Sequence, residues 1–115
     1  MIAVIFEVEP HDEHRDAYFD TAARIRPFLE EIDGFISVER FQSLVNPGKI
    51  LSLSFFEHET ALEAWRNLEA HRAAQEAGRN GYFRDYRLRI ASVIRDYGMT
   101  NREEAPEDSL QRHDQ

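Results

Sequence analysis

The spacing of apolar residues switches repeatedly between strand and helix periods along this chain, and the order of those switches constrains the fold more than any other feature. Residues 2–8, IAVIFEV, are apolar and β-branched without a helical period, and Glu9-Pro10 closes them, so they read as a well-covered first strand. From Asp12 the pattern becomes helical, with Tyr18, Ala22, Ile25, Leu29 and Ile32 recurring at steps of four and three along one stripe. Asp12 is placed to cap this helix and Gly34, after Asp33, to end it. Pro27 lies inside the stretch and predicts a kink or a break near its own position.

Residues 34–44 alternate loosely, Asn46-Pro47-Gly48-Lys49 supplies a turn, and residues 50–56, ILSLSFF, complete a hairpin. A second amphipathic helix, from about residue 59 to residue 77, carries Ala61, Leu62, Trp65, Leu68 and Arg72 on one side and stops near Gly78. Residues 82–97 read as a long last strand. Tyr86, Leu88, Ile90, Ser92 and Ile94 fall on its helix-side face, and Arg87, Arg89, Ala91, Val93, Arg95 and Tyr97 on the other. Beyond Met99 the residues are polar, include Pro106 and lack apolar period, so residues 1–99 are expected to form one domain and 100–115 a disordered tail.

The succession β-α-β-β-α-β is that of the ferredoxin-like α+β fold, an antiparallel four-stranded sheet with two helices on one face. The uncovered face mixes polar groups with large apolar ones. Such a surface is commonly buried against a partner, and a symmetric twin is the simplest, so a homodimer is expected.

At 115 residues there is room for one domain with a core sufficient for stability. Cysteine is absent, which excludes disulfides, thiolate metal sites and cysteine nucleophiles. Fourteen basic residues against 22 acidic ones give a net charge of -8, and a phosphate-binding footprint needs the opposite balance. Nucleic acid and anionic membrane are therefore not expected partners. The first residues carry no positive segment and only a strand-length apolar run, so neither a signal peptide nor a membrane span is expected, and the expected location is cytoplasmic.

Taken together, GFISVERFQS, NPGK, ILSLSFF, ALEAWRNLEAHRAAQEAGR and FRDYRLRIASVIRDYG resemble the antibiotic biosynthesis monooxygenase domain family over about residues 2–98. The resemblance implies a dimeric α+β barrel of two ferredoxin-like protomers, each with a pocket between its helices and its concave sheet. Members include cofactor-independent monooxygenases that oxidise polycyclic phenols to quinones, haem-degrading monooxygenases, and many small proteins with no assigned substrate. Membership alone does not select among them.

In the phenol-oxidising members a tryptophan is followed, six residues on, by a polar ring-bearing residue that handles the substrate hydroxyl. The matching residues are Trp65 and His71, about 120° apart around a helix axis. A phenol must lose a proton before its electron-rich anion reacts with oxygen, and imidazole titrates near neutral pH. His71 is thus the candidate base and Trp65 the candidate pocket wall; the plainer alternative is a core tryptophan and a partly exposed helix histidine. Tyr86 could orient a substrate oxygen, or be a core tyrosine with one hydrogen bond. Asn67 and Gln75 are candidate substrate-binding donors, or residues of a solvated face. Arg87, Arg89 and Arg95 are expected to pair with acidic residues such as Glu39 or Asp85, or with a partner chain. His11, His14 and His58 have no zinc spacing, and no metal is expected.

The haem-degrading members use an asparagine in strand one, a tryptophan in the second helix and a histidine about ten residues after it. Here Glu7 is among the candidates in strand one, Trp65 is in place and Gln75 stands ten residues later, so two of the three depart. The resemblance and the residues together imply a cofactor-independent monooxygenase acting on a small aromatic phenol or hydroquinone with O2. A haem-binding or haem-degrading monooxygenase, and a non-catalytic dimeric small-molecule-binding protein, are the alternatives.

Overall fold

The computed structural model describes residues 1–68 and 81–109. In chain order they form β1 (Ile2–Pro10), a 3-10 turn (Asp12–His14), α1 (Arg15–Glu30), β2 (Phe35–Gln42), β3 (Ile50–Phe56) and β4 (Phe83–Ser92). Between β3 and β4, residues 61–68 are helical and are labelled α2. The strands make one sheet in the order β2-β3-β1-β4, with every neighbouring pair antiparallel. This is the ferredoxin-like α+β architecture expected from the period changes.

The two central strands carry the core because both of their neighbours are strands and one of their faces is covered by helix. Ile2, Val4 and Val8 of β1 and Ile50, Ser54 and Phe56 of β3 are buried on that face. Val4, Phe56, Ala61, Leu62 and Trp65 join Leu29 and Val38 in the main apolar cluster, and Val8, Ile50 and Tyr18 form a second one. Full burial of a side chain such as Val4 or Phe56 contributes roughly 1.5–3 kcal/mol before entropy is counted. On α1 the buried residues are Tyr18, Thr21, Ala22 and Leu29, with Ile25 and Ile32 packed against the main cluster, so the expected stripe does face the core.

Local details differ from the sequence expectations for identifiable reasons. Asp12 does not cap α1: it begins the 3-10 turn, and α1 starts at Arg15 with no side-chain cap bond. Pro27 does not split the helix, which continues to Glu30. It lies in the last turn, and Ala23, whose carbonyl loses its donor, is exposed to water. The loose alternation of β2 reflects a register shift between Phe35 and Ser37. β4 ends at Ser92 rather than Tyr97 because it pairs only with β1, and Ser92 is opposite Ile2 at the start of that strand. One further backbone bond, from Val93 N–H to the Met1 carbonyl, closes the ladder.

Gly34 ends the α1 connection with φ +91°, a left-handed conformation that disfavours other residues, and the His58 ring packs 3.0 Å from where a Cβ would stand. Residues 100–109, expected from composition to lack structure, make a local network. Arg102 donates to the Gly98 carbonyl and lies over the Tyr97 ring, Glu104 accepts from the Asp96 N–H, and Ala105 is buried.

Candidate functional site

The strand register sets side chains in rows across the helix-covered face. One row runs Val38, Ser54, Val4, Ile90, and another runs Gln42, Ile50, Val8, Tyr86. On the central strands both rows are closed, with Val4 and Ser54 at 1% and 3% exposure and Val8 and Ile50 at 0% and 3%. The row between them is Arg40, Ser52, Phe6, Leu88, and it is open: Phe6, Ser52 and Arg40 are only part-buried and Leu88 is exposed. A mid-sheet row less buried than the two beside it is the candidate floor of a groove, and Ser52 contributes only a short side chain to it.

Aromatic rings wall the β4 end of this groove. Phe6 lies 6.1 Å from Phe83 at 72° and 5.9 Å from Tyr86 at 51°, and Phe83 lies 6.2 Å from Tyr86. Tyr18 of α1 meets Phe83 edge-on at 5.8 Å, which ties the wall to the second core cluster. These edge and tilted arrangements are the ones the ring quadrupoles favour. Tyr86 is 60% exposed despite its place on the helix side, because β4 is an edge strand. Leu88 and Ile90 continue that exposed apolar strip.

Of the residues singled out by sequence, Tyr86 stands beside the groove. Trp65 is buried in the main apolar cluster with Val4 and Val38, the row that borders the groove. Asn67 is exposed on α2. His71 and Gln75 lie outside the described residues. The groove residues that sequence reasoning did not single out are Phe6, Phe83, Ser52 and Arg40. Their alternation was visible, but only the pairing register puts Arg40, Ser52 and Phe6 in one line.

Arg87 and Arg89 occupy the opposite, uncovered face, as expected, but their expected acidic partners are not the ones found. Arg89 donates to Glu7 of β1, while Asp85 accepts from the Tyr86 backbone N–H. The Arg89 hydrogen bond holds the Glu7 carboxyl below its ordinary pKa; partial burial opposes the shift, and the charges of Arg89, Lys49 and Arg87 reinforce it. Elsewhere, the His14 ring stacks on Tyr82 at 4.7 Å, and His58 shares a hydrogen bond with Thr60. Among the described residues, no three of His, Cys, Asp and Glu are grouped as a metal site.

The chain belongs to the antibiotic biosynthesis monooxygenase family, whose sequence pattern matches residues 1–77. It is 48% identical over 93 residues to a jasmonate monooxygenase of Pyricularia oryzae, a match covering 81% of this chain and 43% of that longer protein. The uncharacterised protein YqjZ of Bacillus subtilis is 31% identical over 93 residues, covering 81% of this chain and 79% of YqjZ. Among solved structures, a Deinococcus radiodurans protein described under the same family name superposes with a TM-score of 0.71 at 15% identity, covering 85% of this chain and 97% of that one. A variant of MhuD with two manganese protoporphyrin IX molecules per active site superposes with a TM-score of 0.66 at 18% identity, covering 85% of this chain and 99% of that one. Among the described residues no helix is long and apolar enough to cross a membrane.

The described residues do not fit a haem site of the kind weighed above. Glu7 points to the uncovered face and is engaged with Arg89, while its neighbour Phe6 takes the groove side. The described histidines, His11, His14 and His58, stand at the ends of the elements and not on the groove floor.

Proposed function

We propose that this chain is a monooxygenase that holds a small aromatic phenol or hydroquinone in the groove over Phe6 and Leu88 and oxidises it with O2, without a cofactor. The observation that carries this reading is the open row between sealed rows, flanked by the exposed Tyr86 and its aromatic wall, in a chain of a monooxygenase family. An apolar concave surface with a few directed polar groups is the usual form of a small-molecule site. Rings stack on such walls, and the Tyr86 hydroxyl donates to the substrate oxygen.

The electron balance supports a phenol. One oxygen atom of O2 becomes the new ring carbonyl, the other leaves as water with the phenolic hydrogen and the displaced ring hydrogen, and no outside reductant is consumed. A hydroquinone balances in the same way to a hydroxyquinone. In this scheme His71 removes the phenolic proton, Trp65 walls the pocket, and Asn67 and Gln75 supply further donors. Jasmonate, the substrate named for the 48% identical relative, is a cyclopentanone carboxylate and favours a second reading, a non-aromatic ring acid in the same groove. Oxygenation of its saturated carbon would consume two electrons from a separate donor.

Oxygen uptake with naphthols, hydroquinones and jasmonate tests this directly. Uptake matched mole for mole by quinone absorbance, without hydrogen peroxide, is expected for the phenols. Uptake only with jasmonate, and only when a reduced electron donor is added, would replace the phenol by the ring acid, and no uptake with any of them, donor included, would leave a binding protein.

The proposal includes a homodimer joined through the uncovered sheet face, where Ile5, Leu51, Leu53 and Phe55 are only part-buried in the single chain. Sedimentation showing a monomer at micromolar concentration would remove the dimer.

A further inference from the structure

Arg40 has no place in the scheme above, yet it occupies the far end of the groove floor. It sits on the helix side of β2, opposite Ser52, which is itself opposite Phe6, which is opposite Leu88. Its Nε is buried and, among the described residues, has no hydrogen-bond partner. Among the described residues no carboxylate forms an ion pair with it, although the chain holds 22 acidic residues against 14 basic ones. Arg89 and Arg26, by contrast, each have a carboxylate. Withdrawing part of a guanidinium from water without an acceptor is costly, and the cost is recovered when an anion supplies the missing acceptors.

The neighbours of Arg40 on its row are a hydroxyl and then an apolar ring. Strands are spaced about 4.8 Å apart, so the Arg40 and Phe6 backbones are roughly 10 Å apart, and Arg40 and Leu88 roughly 14 Å. The groove therefore has an aromatic and hydroxyl-bearing end at Phe6, Phe83 and Tyr86, and a cationic end at Arg40 with Ser52 beside it. A guanidinium is suited to a planar two-oxygen acceptor, which it can meet with two parallel hydrogen bonds.

We infer that Arg40, assisted by Ser52, anchors a substrate carboxylate, so that the substrate class is a ring compound carrying a carboxylate on a short apolar spacer. The inference rests on the groove being the substrate site but not on the oxidation chemistry. The carboxylate end binds at β2, and the ring end reaches the rings on β1 and β4. The anchor fixes the direction in which the substrate lies along the row, and so which ring position faces Tyr86.

The test is equilibrium binding of para-hydroxyphenylpropionate and of its uncharged methyl ester, measured by calorimetry without oxygen. Wild-type protein is expected to prefer the acid by about 10- to 100-fold, the usual size of a charge-assisted bond. Arg40→Met, which keeps the aliphatic stem, should erase that preference while leaving ester affinity unchanged, and Arg40→Lys should retain part of it. An acid preference that survives in Arg40→Met would overturn the anchor, as would equal or absent binding of acid and ester by wild-type protein. Should Arg40→Met not fold, the wild-type preference and its partial retention in Arg40→Lys still decide. Lack of oxidation with the preference intact would remove the oxidation reading and leave the anchor standing.

Discussion

The Phe6 and Tyr86 rings meet diagonally across the β1–β4 pairing, 5.9 Å apart, although Tyr86 is in register with Val8 and Phe6 with Leu88. Diagonal cross-strand contacts are within reach of aromatic side chains, and this one associates Tyr86 with the open row rather than with its own sealed row. Tyr86→Phe keeps the ring contact and removes only the hydroxyl. It is expected to lower kcat/KM for a phenol about 10-fold, the effect of one lost hydrogen bond of about 1.5 kcal/mol. Stability should change by less than about 0.5 kcal/mol, since the residue is exposed. Steady-state oxygen uptake and thermal melting on the same protein check both; an unchanged rate would end the donor role.

His71 is the proposed base, and removing a general base typically costs about 10²- to 10⁴-fold in rate. His71→Ala should show that loss with an unchanged melting temperature. A destabilisation of about 1–3 kcal/mol would mark it instead as a core residue with a satisfied hydrogen bond. Full activity in a stable variant would exclude it as the base.

Glu7 makes stability depend on pH. Its folded pKa lies below the ordinary value of 4.5 because Arg89 donates to it, so the stabilisation is present above 4.5 and is lost as pH falls through the lowered folded value. Glu7→Gln should therefore melt below wild type at pH 7, with the gap closing in the acid range. The pair is partly exposed, so the difference will be modest and smaller at high salt. A gap that does not narrow on acidification would show that packing, not charge, accounts for it.

Gly34→Ala combines two penalties. The position has φ +91°, and an added Cβ would stand 3.0 Å from the His58 ring. A destabilisation of about 1–3 kcal/mol is expected, read from the denaturant midpoint at unchanged slope. In the Gly34→Ala, His58→Ala double variant the steric part should be recovered and the backbone part should remain. Strict additivity of the two changes would show that the ring contact contributes nothing.

The sequence by itself determined the order of elements, the core stripe of α1 through Tyr18, Ala22 and Leu29, and the helix-side placement of Tyr86, Leu88 and Ile90. These follow from apolar period, which is local: a residue's face depends on its own strand or helix. Pairing decided the rest. The end of β4 at Ser92 depends on where β1 begins, and the partner of Arg89 depends on which strand lies beside it. The groove floor is the clearest case, because Arg40, Ser52, Phe6 and Leu88 come from four strands and share a row only in the observed register. Nor does polarity alone show that, among the described residues, Arg40 has no carboxylate partner while Arg89 has one. That outcome depends on side chains brought together from distant parts of the chain, and a shift of one residue in any pairing would turn a strand's side chains to the other face.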